Sequence, residues 1–90
     1  MNIDKAGREY AKWDLGVDLP GSAFDVSFDG GTVWHSMTKV GTTLSVLVGG
    51  PEAPAVFDLV VLDIGVHKAK IRVVDNPEIV IRGGGSIAVV

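Results

Sequence analysis

The chain has no cysteine. Disulfide staples and thiolate metal sites are therefore excluded, and a disulfide-rich secreted module is not expected. Histidine is nearly as scarce, with two in 90 residues. A metal or catalytic centre needs several His, Cys or carboxylate groups converging at set spacing, and neither His35 nor His67 has such partners. The plain expectation is an exposed strand histidine at 35, a corner histidine at 67, and no metal or cofactor. Aromatic residues make up only 7% of the chain. Long apolar runs are missing too. "APAVFDLVVLDI" (53–64) contains two aspartates and is far shorter than the roughly 20 residues of a membrane helix. The opening "MNIDKAGREY" has no apolar h-region, so neither a signal peptide nor a membrane partner is expected. A net charge of −3 gives no global field for nucleic acid, and no direct nucleic-acid binding is expected.

What is present is apolar and regularly punctuated. Hydrophobic residues reach 47% and mean hydropathy is +0.35. A single domain of this size buries only about 60–65% of its unfolded surface, so part of the apolar surplus is expected to be covered by partners or copies. Turn signals recur at Gly16, Leu19–Ser22, Asp29–Gly31, Gly41, Gly49–Pro54, Gly65, Asn76–Pro77 and Gly83–Gly85. That spacing suits strands better than helices.

Between the turns, apolar residues alternate, as a half-buried antiparallel sheet requires. Phe24, Val26 and Phe28 share one face, as do Leu44, Val46 and Val48. Ala69, Ile71 and Val73 oppose Lys68, Lys70 and Arg72, and Ile79 and Ile81 are expected to point inward with Ile71 and Val73. "DGG" at 29–31 reads as a hairpin turn, because glycine takes positive φ without a Cβ clash. Val56–Ile64 also fits a helical stripe, but its valines and the close breakers favour a strand. The sum is an all-β domain, an antiparallel immunoglobulin-like β-sandwich of about seven strands. Residues 1–7 form an N-terminal arm and 8–90 a single sandwich domain. Trp34 falls on the third strand, where such folds often bury a tryptophan. The expected core is Phe24, Val26, Phe28, Trp34, Ile71, Val73, Ile79 and Ile81. "DIGVH" resembles the tyrosine corner of immunoglobulin-like domains, with Asp63, Gly65 and His67 in place and an imidazole N–H in the role of the hydroxyl.

Tests for chemistry give little. Serines 22, 27, 36, 45 and 86 lie outside any Gly-x-Ser-x-Gly context. Arg82–Ser86 has the glycines of a phosphate loop but runs into the strand-like "SIAVV" rather than a helix, so a β-bulge or bend is expected there. Asp75 and Glu78 lack the further oxygen ligands that calcium requires, and "DNPE" has turn chemistry throughout. Lys68, Lys70 and Arg72 read as a solvated outer face that, if used, docks an acidic patch of a partner protein.

Arg8-Glu9-Tyr10, Trp34-His35, Gly50-Pro51 and above all "GVHKAKIRVVDNPEIVIRGGGSIAVV" (65–90) resemble small proteins encoded among the virion structural genes of tailed bacteriophages that infect actinobacteria. The likeness spans nearly the whole chain and is specific in its last third. It departs where relatives carry a longer insert around the tryptophan strand, and at His67, where tyrosine is common. The resemblance implies a non-enzymatic virion structural protein, capsid-associated (decoration or minor capsid) or a head–tail neck component, assembled in the host cytoplasm. Its partners would be other virion proteins and copies of itself.

The expected contact surface is the outer charge of the last hairpin, Lys68, Lys70, Arg72, Glu78 and Arg82, together with the apolar final strand, Ile87, Val89 and Val90. A terminal strand of that kind needs a neighbouring strand or partner over its edge. The competing expectation is a carbohydrate- or cell-surface-binding module using Tyr10, Trp13 or Trp34.

Overall fold

The computed structural model describes residues 1–16, 22–75 and 78–90, with the backbone alone at 75 and 78. Among them are nine strands: β1 (Asn2–Ile3), β2 (Arg8–Asp14), β3 (Ala23–Ser27), β4 (His35–Ser36), β5 (Thr38–Val40), β6 (Thr43–Gly49), β7 (Val60–Val61), β8 (Gly65–Asp75) and β9 (Glu78–Val89). No helix occurs among the described residues. One sheet runs β1-β9-β8-β3-β4. In the other, β2 lies along one edge of β6, and β5 and β7 share the opposite edge. All pairings are antiparallel except β1–β9 and β6–β7.

The alternation read from the sequence accounts for most of the core. Val26, Ala69, Ile87 and Val89 from the first sheet meet Ala11, Val46, Val48 and Val60 from the second in one buried cluster. Phe24, Leu44 and Ile71 form a neighbouring cluster, and Trp13 and Met37 pack against both. The count exceeds seven partly because the segment after Trp34 breaks at Met37. It leaves the first sheet as β4 and enters the second as β5. Met37 still donates its N–H to Phe24 O at 2.9 Å as it crosses.

Residues 1–7 are not a free arm. β1 lies parallel to β9, Ile3 is buried at 2% exposure, and Lys5 N–H donates to Val90 O at 2.7 Å. The final stretch of the last strand's edge, from Ser86 to Val90, is thus covered by the chain's own first residues.

Three expectations are corrected. The Val56–Ile64 strand shrinks to β7. Phe57 and Asp58 form a turn in which Asp58 has φ 65°, and Phe57 is 92% exposed. Aspartate tolerates that left-handed conformation better than the β-branched residues around it.

Trp34 is not core. Since Val26 faces inward and pairs with His35, the residue before His35 is turned outward. Trp34 lies half-buried on the outer side of the sheet.

Ile79 and Ile81 are exposed, at 63% and 56%. The reason is register. Asp75 pairs with Glu78, Val73 with Val80 and Ile71 with Arg82. Opposed residues share a face, so Val80 and Arg82 take the side of Ile71 while Ile79 and Ile81 take the other. The Asn76–Pro77 reversal and residues 19–21 of the Leu19–Ser22 turn lie outside the described residues.

The three glycines reverse this alternation. Lys68 pairs with Ser86 and Lys70 with Gly83, so two steps along β8 match three along β9. Gly85 sits at φ +78°, as a bulge residue often does. Beyond the bulge, odd-numbered residues point inward, and Ile87 and Val89 are 2% and 1% exposed.

Candidate functional site

The β8–β9 hairpin presents one face outward. Val66, Lys68, Lys70 and Arg72 alternate along β8 on that side, opposite Ala88, Ser86, Gly83 and Ile81. The small partners beside Lys68 and Lys70 leave both lysines standing clear, and both are exposed. Val66 at 70%, with Ile79 and Ile81 at the far end, adds exposed aliphatic surface. The face is basic at its centre and apolar at its ends.

Arg72 differs from the lysines. Its Nε and Nη2 donate to Asp25 Oδ2 at 3.1 and 2.8 Å. Its Cζ lies 4.4 Å from the centre of the Trp34 ring. Ion pairing and the ring's negative face both hold the guanidinium. Arg72 is therefore a brace of this face rather than a free cation. Asp25 and Trp34 belong to the same face, which sequence reading missed. The signal was Asp25 alternating outward on β3, legible only once β3 is known to pair with β8.

The other expected contact residues disperse. Arg82 is exposed but sits on the opposite side of the hairpin from Lys70 and Arg72. Glu78 lies at the start of β9, and its side chain is outside the described residues. Ile87 and Val89 are core residues, which removes them from any docking surface. Val90 remains exposed.

The corner forms. A ring nitrogen of His67, Nε2, lies 2.8 Å from Asp63 O, and Gly65 between them has φ +135°. A carbonyl only accepts, so Nε2 carries the proton. Nearby, Ser27 and Asp29 organise the loop before Trp34. Ser27 Oγ donates to Asp29 Oδ1 at 2.7 Å, and that carboxylate also accepts from the N–H groups of Val33 and Thr32 at 3.0 and 3.1 Å. These bonds, led by Val33, hold the Asp29 carboxyl below its ordinary value.

A cleft of about 610 Å³ has Trp34, Tyr10, His35 and Phe57 on its walls. No grouping of three or more His, Cys, Asp or Glu able to hold a metal occurs among the described residues.

Comparison with known proteins returns no match: no family model, no curated protein and no solved structure is similar to the chain.

Proposed function

We propose that the chain is a non-enzymatic structural protein of a tailed-phage virion, capsid-associated or in the head–tail neck, and that it acts through protein–protein contacts. The observation that carries this reading is the outward face of the β8–β9 hairpin. In a chain of net charge −3, it gathers Lys68 and Lys70 between exposed Val66, Ile79 and Ile81. Apolar area with a charged centre of one sign suits an acidic patch on a neighbouring protein. The family resemblance of residues 65–90, the same segment, supplies the virion context. Particles would acquire the protein in the host cytoplasm.

An immunoglobulin-like sandwich is part of the proposal. The His67–Asp63 corner supports it. So does a core drawn from both sheets.

The test is occupancy on density-purified particles, measured by quantitative mass spectrometry against the major capsid subunit. Lys68→Glu with Lys70→Glu should lower occupancy by about tenfold or more while leaving thermal stability unchanged. Equal occupancy of the double variant would refute the role of this face.

One observation favours a second reading, a carbohydrate-binding module: Tyr10, Trp34 and Phe57 line a common cleft. Aromatic rings interspersed with hydrogen-bonding side chains, here Ser36, Thr38, Ser45 and Asp58, suit a sugar's alternating apolar faces and hydroxyls. Glycan-array binding that is lost in Tyr10→Ala and Phe57→Ala would establish it. Trp13 is not part of that cleft, because its indole is engaged inside the fold.

A further inference from the structure

β2 is seven residues long and one of its edges is paired by no described strand along its whole length. Its backbone polarity can be read from both ends. Leu15 N–H donates to Thr42 O, and Gly7 O accepts from Gly50 N–H. Both are odd-numbered and face β6. In a strand the N–H and C=O of one residue point to the same side, and the side alternates. Arg8, Tyr10, Lys12 and Asp14 therefore direct their backbone groups to the free edge. None of these eight groups has a backbone partner among the described residues outside the strand ladders.

Such an edge accepts another strand, and its own sequence selects which one. Antiparallel pairing of two copies requires the even-numbered residues to oppose one another. With the two-fold axis at Ala11, Arg8 faces Asp14 and Tyr10 faces Lys12, all on the outer face of the sheet. Opposite charges and a cation beside an aromatic ring are both favourable cross-strand pairs. The adjacent registers are worse. An axis at Tyr10 sets Arg8 against Lys12, and an axis at Lys12 sets that lysine against itself. Like charges directly opposed are destabilising. A central lysine ordinarily blunts a free edge; of these three registers, only the one about Ala11 turns it into a complementary contact. The charges at its ends are kept in place. Arg8 Nη1 donates to Pro54 O at 2.9 Å, and Asp14 accepts from Gly16 N–H at 2.8 Å. Ala11 at the axis is buried and small, so its side chain does not obstruct close approach of the two backbones.

We infer that β2 is a homodimerisation edge: two copies of this chain join antiparallel about Ala11 into one continuous sheet, with Arg8–Asp14 and Tyr10–Lys12 as the reciprocal pairs. The contact is isologous, so it closes at two copies and does not propagate. It uses the second sheet and leaves the β8–β9 face free, and it stands whether or not the virion reading holds.

The experiment is sedimentation equilibrium of the full chain at about 1–100 µM, with Arg8→Glu, Asp14→Arg and the combined swap. The wild type should be dimeric in this range. Each single change should weaken dimerisation by about tenfold or more, and the swap should restore it to within about threefold. Circular dichroism confirms that each variant is folded. Lys12→Pro removes an edge-facing N–H without touching the β6 ladder and should give a folded monomer. Hydrogen exchange should show concentration-dependent protection at the amides of Tyr10, Lys12 and Asp14. A wild type that stays monomeric throughout, a swap that fails to rescue, or amide protection independent of concentration would overturn the inference.

Discussion

The indole Nε1 of Trp13 donates to the carbonyl oxygen of Gly84 at 2.7 Å, across 71 residues of chain. The bond joins β2 of one sheet to the bulge in β9 of the other. Trp13 also packs against both core clusters. Of the two tryptophans, this one spans the interior, while Trp34 braces Arg72 on the outside.

Replacing Trp13 by Phe keeps most of the apolar contact and deletes the N–H. The Gly84 carbonyl then loses its partner in a half-buried site, at a cost of about 1–3 kcal/mol. In a domain of this size each kcal/mol lowers Tm by about 4–8 °C. Calorimetry of Trp13→Phe measures it, and an unchanged Tm would contradict the linking role.

The three glycines should differ sharply on replacement by alanine. A Cβ at Gly84 would stand 3.1–3.2 Å from Trp13 Nε1, Ala69 Cβ and Ile71 Cδ1. Overpacking of that kind costs about 1–3 kcal/mol. Gly85 has open space around it but a φ of +78°, which costs an alanine about 1–2 kcal/mol. Gly83 has neither constraint, so Gly83→Ala should shift stability by less than about 0.5 kcal/mol. Urea unfolding of the three variants ranks them directly, and equal values would argue against the bulge.

His67→Ala removes the bond to Asp63 O and should destabilise by about 1 kcal/mol. His67→Tyr should restore much of that loss, since a phenolic hydroxyl also donates to a carbonyl. Long-range nitrogen NMR should find the neutral ring protonated at Nε2. A neutral ring protonated at Nδ1 alone would remove the corner bond.

Asp29 and Asp14 contribute to the acid response. The Val33 N–H and Ser27 hydroxyl lower the Asp29 carboxyl, and the Gly16 N–H and Thr42 side chain lower that of Asp14. Both folded values lie below the ordinary 3.8. The ionised forms thus favour the folded state, fully above that value, and the gain disappears as pH falls through the lower folded values. Stability should be level from about pH 7 to 5 and decline below about pH 4. Asp29→Asn, which keeps an acceptor oxygen without a titrating proton, should flatten part of the decline in pH-dependent urea unfolding.

Much of this architecture was legible in the sequence because alternation reports burial one strand at a time. Leu44, Val46 and Val48 are buried as their spacing requires, and so are Phe24, Val26 and Ile71. The glycine bulge and the hydrogen bond between His67 and Asp63 O were legible from local chemistry. Relations between strands were not. Whether Ile79 joins Ile71 depends on how many residues the turn holds and on a bulge several residues further along. Alternation within "EIVIR" is the same in either register. Trp34 failed for a similar reason, since its side follows from the pairing of Val26 with His35. The outward face was half legible. Its lysines were apparent, but Asp25 and Trp34 reach it only through the pairing of β3 with β8 and β4.

On the proposed function, the outward face of the β8–β9 hairpin docks a neighbouring protein on a virion. A particle reconstruction with this chain traced tests it most directly. Lys68 and Lys70 should lie against acidic side chains of a neighbouring protein, with Ile79 and Ile81 covered. A traced chain whose Lys68, Lys70, Ile79 and Ile81 all face solvent, or particles that lack the chain altogether, would contradict it.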